Sequence, residues 1–80
     1  MRVTLKGAIR VFEPAASSLM RHTDYGLDEG DEITIVGDPI QYCYDHSDMM
    51  FYYFEYGGEW YFAKESEIKD SLPPKLIRVK

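Results

Sequence analysis

Cys43 and His46 stand three residues apart with Asp45 and Asp48 beside them, and His22 and Asp24 lie in an earlier segment. Thiolate, imidazole and carboxylate are the side chains that hold Zn²⁺, and a thiol near an imidazole is the pair that makes a cysteine nucleophile. A structural zinc site needs four converging ligands, and one Cys with two His and no C-x-x-C pair falls short. A nucleophile also needs an orienting third group and donors for an oxyanion, which neighbours on one loop rarely supply. Cys43 therefore reads as a buried or half-buried thiol beside a polar loop tip, and the expectation is no enzyme, no catalytic residue, no metal and no cofactor. Asp28, Glu29, Asp31 and Glu32 gather four carboxylates at one turn, but without the ordered ligand spacing of a calcium-binding loop.

The aromatic residues are the less ordinary feature. Met49–Tyr56 and Glu59–Ala63 flank Gly57-Gly58, and two glycines between aromatic runs mark a two-residue hairpin, because primed turns need positive φ. Such a turn pairs Tyr56 with Glu59, Phe54 with Tyr61 and Tyr52 with Ala63 on one face. It pairs Glu55 with Trp60, Tyr53 with Phe62 and Phe51 with Lys64 on the other. A small core has room for one aromatic face, and the expected core set is Met49, Phe51, Trp60 and Phe62. The opposite face then presents Met50, Tyr52, Phe54, Tyr56 and Tyr61, with Asp28, Glu29 and Asp31 as charged company. Tyrosine offers contact area, a polar tip and little rotamer entropy to lose, which suits a recognition surface. The competing expectation is that residues 13–30 fold over this face with Leu19, Met20 and Leu27.

The elements that must position these residues are strands. Val3, Leu5, Ile9 and Val11 keep a period of two, interrupted by Gly7 as at a bulge or bend. Residues 13–30 read as a long loop in which Pro14, Ala15, Ala16, Leu19 and Met20 could form a turn or two of helix. Asp28–Asp31 is a turn signal before a strand with Ile33 and Ile35 on one face, closed by Asp38-Pro39, with Ile40–Tyr44 extended after it. Glu65–Lys69 looks like a 3₁₀ turn, and Leu76–Val79 like a last strand.

This order is similar to that of the SH3-like small β-barrel superfamily. Tyr25–Val36 resembles the diverging turn of SH3 domains, and Trp60–Ile68 resembles the strand that enters the 3₁₀ turn and returns an aliphatic residue to the core. The resemblance implies a mostly β, five-stranded barrel with a long first loop and a 3₁₀ turn before the last strand. Proline-helix recognition is not implied, because Ala63 and Ser66 fall near the places where the peptide-binding members carry Pro and Tyr, and the chain has one Trp.

Eighty residues make a single domain, 1–80, which hides roughly 60% of its unfolded surface and has little interior for a deep catalytic cavity. A single cysteine forms no internal disulfide, and no apolar run reaches signal-peptide or membrane-spanning length, so the expectation is a cytoplasmic protein without a membrane partner. Residues 1–10 and 75–80 carry six bases and no acid, while residues 11–74 carry fourteen acids against three bases. An acidic body attracts basic protein surfaces and repels phosphates. The sequence thus points to a protein-binding module, an inhibitor or regulator of a larger protein with a basic or aromatic patch. In size and charge it resembles bacteriophage-encoded or mobile-element proteins that block host enzymes. The alternatives are a nucleic-acid-binding barrel, using Arg2, Lys6, Arg10, Arg78 and Lys80 with stacking tyrosines, and a structural subunit of an assembly; a pI near 4.8 disfavours the nucleic acid.

Overall fold

The odd-numbered apolar row from Val3 to Val11 is buried as its period predicts, but Gly7 divides it between two strands. The structure, a computed structural model, describes residues 1–73. Strand β1 (Arg2–Thr4) pairs antiparallel with β4 (Glu32–Tyr44), and β2 (Ile9–Ala16) turns away to pair with β3 (Leu19–Leu27). Leu5 ties the bend down by donating its N–H to the Asp31 carbonyl at 2.8 Å and accepting from the Gly30 N–H at 2.9 Å.

Residues 13–30 are not a long loop and hold no helix; most of them complete the β2–β3 hairpin. Four apolar residues at helical spacing span too few turns to offset helix nucleation. The hairpin instead brings Phe12 and Met20 into the interior, 0% and 5% exposed. Pro14 sits within β2 opposite Met20, where β3 is the ladder partner that β2 has among the described residues. Proline is tolerated on a strand with one side free of pairing.

Asp38-Pro39 does not close the fourth strand. Val36 pairs with Tyr53 and Ile40 with Phe51, so Gly37, Asp38 and Pro39 stand opposite Tyr52 alone, a bulge that Gly37 enters with φ +76°. Strand β4 then runs on into an antiparallel ladder with β5 (Ser47–Tyr56) around a two-residue turn, Asp45-His46. The β5 to β6 (Glu59–Lys64) ladder has every pair that the Gly57-Gly58 turn implies, with both glycines at positive φ.

Two further pairs join these hairpins. Leu19 of β3 meets Cys43 of β4 in parallel, where the Cys43 N–H donates to the Ser18 carbonyl at 2.9 Å, and Phe12 of β2 meets Phe62 of β6. Neighbour to neighbour, β4, β3, β2, β6 and β5 form a ring of five strands in a mostly β fold, with β1 on the outer side of β4. A single helical turn, α1 (Glu65–Ile68), and a 3₁₀ turn, Lys69–Ser71, follow β6 and seal Ile68 into the interior. The strand expected at Leu76–Val79 lies outside the described residues.

Both faces of the β5–β6 hairpin are covered, and this overturns the expected division into core and surface. Tyr52, Phe54 and Ala63 pack with Val3, Leu5, Ile9, Val11, Leu27, Ile33, Ile35, Ile68 and Leu72. Phe51 and Phe62 pack with Phe12 and Met20, flanked by half-buried Tyr42, Tyr44, Met49 and Tyr53. Tyr52 at 8% and Phe54 at 0% exposure are core residues, whereas Trp60, expected inside, is 51% exposed. Burying a phenylalanine contributes about 1.5–3 kcal/mol by area, so Phe51 and Phe54 both remain inside when the chain can cover both. Residues of β2 and β3 supply that second cover. Trp60 pairs with Glu55 next to the turn, past the point where Phe62 closes on Phe12, and no strand among the described residues overlies it.

Candidate tyrosine and carboxylate groove

Between Arg10↔Gly26 and Phe12↔His22 the β2–β3 ladder skips, leaving Thr23, Asp24 and Tyr25 opposite Val11. Thr23 fills the broken ladder with its hydroxyl, which donates to the Val11 carbonyl at 3.0 Å and accepts from the Tyr25 N–H at 3.0 Å. Side-chain to backbone bonding of this kind is what threonine offers in place of a regular ladder. The bulge pushes Tyr25 outward, 66% exposed, with its ring edge-on to Tyr61 at 6.1 Å and 64°. Gly26 follows because a Cβ there would stand 3.2 Å from the Ile9 carbonyl oxygen.

The turn from Asp28 to Asp31 braces itself. The Asp31 N–H donates to the Asp28 carbonyl at 3.1 Å, and the Asp28 N–H donates to Asp31 Oδ2 at 2.9 Å. Asp31 Oδ1 in turn faces the Tyr56 hydroxyl, which donates to it across 3.4 Å. Tyr25, Tyr56, Tyr61, Asp28 and Asp31 thus line one groove of about 400 Å³, floored by Val11, Gly26 and Leu27. A second, wider hollow of about 620 Å³ lies on the other side of the Tyr25–Tyr61 pair, lined by Glu13, Arg21, His22, Thr23 and Asp24. There Arg21 is engaged with Glu13.

Partial burial pushes the Tyr61 hydroxyl above its ordinary value of 10.0, and the charge of Glu59 and the neighbouring Tyr25 add to the shift. Arg10 is held by Glu67 at 2.9 Å and Arg2 by Glu32; both guanidinium pKa values are raised, first by these hydrogen bonds. The groove has carboxylates on its rim, and among the described residues no lysine or arginine lines it.

Of the eight residues singled out from sequence, Tyr56, Tyr61, Asp28 and Asp31 come together here. Tyr52 and Phe54 are buried, Glu29 is exposed on the turn outside the groove, and Met50 is half-buried beside α1 in a shallow hollow with Met49, Lys64, Glu65 and Ser66. Tyr25 was missed; its signal was the Thr23 to Gly26 run, a threonine two residues before an aromatic with glycine after it. Trp60 was also missed as a surface residue. It stacks on Tyr53, which pairs with exposed Val36, making an apolar strip across β4, β5 and β6. Cys43 is half-buried and His46 exposed in its turn, and the described residues bring no three His, Cys, Asp or Glu together as a metal cluster. No protein-family model, no curated protein and no solved structure gives a significant match to the chain.

Proposed function

We propose that the chain is a non-enzymatic protein-binding module, an inhibitor or regulator that docks its tyrosine and carboxylate groove on a basic patch of a larger protein. The five-stranded ring is in this reading an SH3-like small barrel whose long first connection has become the β2–β3 hairpin, and its setting is the cytoplasm. The observation that carries the proposal is the convergence of Tyr25, Tyr56 and Tyr61 with Asp28 and Asp31 in one groove that no lysine or arginine of the described residues lines. Tyrosines are enriched at binding hot spots, and a surrounding acidic field speeds encounter with a basic partner. Eleven of the fourteen acids have no ion-pair partner among the described residues, whereas all three described arginines do. Arg2 and Arg10 are therefore already neutralised, which weighs against a phosphate-binding stripe on the basic N-terminal segment.

The test is a pull-down from lysate of the cells in which the protein occurs with the intact chain as bait, run with and without nuclease and read by mass spectrometry. One dominant protein that survives nuclease and is lost with Tyr25→Ala supports the proposal. Recovery that vanishes with nuclease overturns it in favour of nucleic acid.

A further inference from the structure

A pair of carboxylates would attract any cation, but the groove places aromatic rings beside them, and that combination discriminates. Tyr25 is held out by the Thr23 bulge, 66% exposed and edge-on to Tyr61 at 64°, so its ring is accessible to a flat group. Asp31 is orientated through the Asp28 N–H on Oδ2 and the Tyr56 hydroxyl on Oδ1, and a carboxylate with about four acceptor positions keeps some for a ligand. The groove, at about 400 Å³, suits one long side chain rather than a folded element. No lysine or arginine of the described residues lines it.

We infer that this groove takes an arginine side chain from the partner, the guanidinium lying against Tyr25 and Tyr61 and donating to the Asp28 and Asp31 carboxylates. The inference rests on the protein-binding reading above and names the chemistry recognised by that same site. Guanidinium is planar, weakly hydrated and carries its donors in a fork, so it stacks on a ring and meets carboxylates at once. An ammonium is a compact, strongly hydrated point charge without that plane or fork, so it makes the two contacts together less favourably.

The experiment titrates the intact, ¹⁵N-labelled chain with three blocked pentapeptides, glycine throughout except for a central arginine, lysine or citrulline. The arginine peptide shifts the backbone signals of Tyr25, Gly26, Asp28 and Asp31 at millimolar concentration. The lysine peptide binds at least about fivefold more weakly and the citrulline peptide leaves the spectrum unchanged. Asp28→Asn and Tyr25→Ala, both at exposed positions, weaken the arginine peptide about tenfold, and the same spectra verify their folds. Asp48→Asn, an equal change of charge on the exposed start of β5, changes binding less than twofold. Equal binding of lysine or citrulline, or equal loss with Asp48→Asn, overturns the inference. Failure of the arginine peptide while the pull-down still recovers a partner refutes the groove's specificity and leaves the protein-binding reading standing. Arginine binding without any recovered partner supports the groove and counts against that reading.

Discussion

The indole of Trp60 lies over the ring of Tyr53 with centroids 4.9 Å apart and planes 18° from parallel, while half of its surface faces solvent. A stacked pair of this kind contributes about 0.5–1.5 kcal/mol beyond area burial, well below the cost of a core cavity. Trp60→Ala is therefore expected to lower unfolding free energy by about 1 kcal/mol, and Phe62→Ala by about 3–5 kcal/mol, in urea titrations followed by circular dichroism. Equal losses would place the indole in the interior.

Phe51 and Phe54 are three residues apart on β5 and enter different apolar layers. Each is fully buried, so Phe51→Ala and Phe54→Ala are each expected to cost about 3–5 kcal/mol, against a total stability that for a small domain is about 5–15 kcal/mol. If either substitution costs under about 1 kcal/mol, the two-layer interior is wrong.

How much of this was legible follows from where each feature is specified. The β5–β6 register could be read because Gly57-Gly58 and its flanking residues are contiguous, and a two-residue turn admits one pairing. The faces could not be divided, because the decision belongs to Phe12 and Met20, far along the chain, whose hairpin resembled a loop. Trp60 misled through residue type: its size suggested burial, but at its ladder position beside the turn no strand among the described residues covers it. In the groove, the contributions of Asp28, Asp31, Tyr56 and Tyr61 were visible as composition, while Tyr25 depended on Thr23 replacing a ladder bond with its hydroxyl.

Asp45 and His46 form the β4–β5 turn with φ of 54° and 64°, a region that costs residues with a Cβ about 1 kcal/mol or more. Asparagine and glycine are the residues this turn type prefers. The double change Asp45→Asn, His46→Gly is expected to raise unfolding free energy by about 1 kcal/mol, seen as a higher urea midpoint at unchanged slope. A lower midpoint would mean that the turn has another conformation.

Burial, assisted by the charges of Glu65 and Asp38, pushes the Tyr52 hydroxyl above its ordinary value of 10.0. A group with a higher pKa folded than unfolded contributes its full stabilisation below the unfolded value and loses it as pH rises through the folded value. Tyr61 acts in the same direction, though it is half-exposed. Stability attributable to these hydroxyls is thus expected to hold up to about pH 9 and to decline above about pH 10. Tyr52→Phe should lessen that alkaline decline relative to the unmodified chain. An identical decline in the variant would assign the effect to other groups.

The central claim, that Tyr25 and its groove form the partner surface, is tested most directly by photo-crosslinking. A benzophenone amino acid is placed at position 25 in one sample and at Ser17, on the exposed β2–β3 tip, in another, and both are irradiated in lysate of the cells in which the protein occurs. One dominant protein adduct is expected at position 25, mapped to a segment containing arginine and competed away by unlabelled chain, with far less at position 17. Equal adducts at both positions, or none at position 25 while a partner co-purifies with the chain, would contradict it.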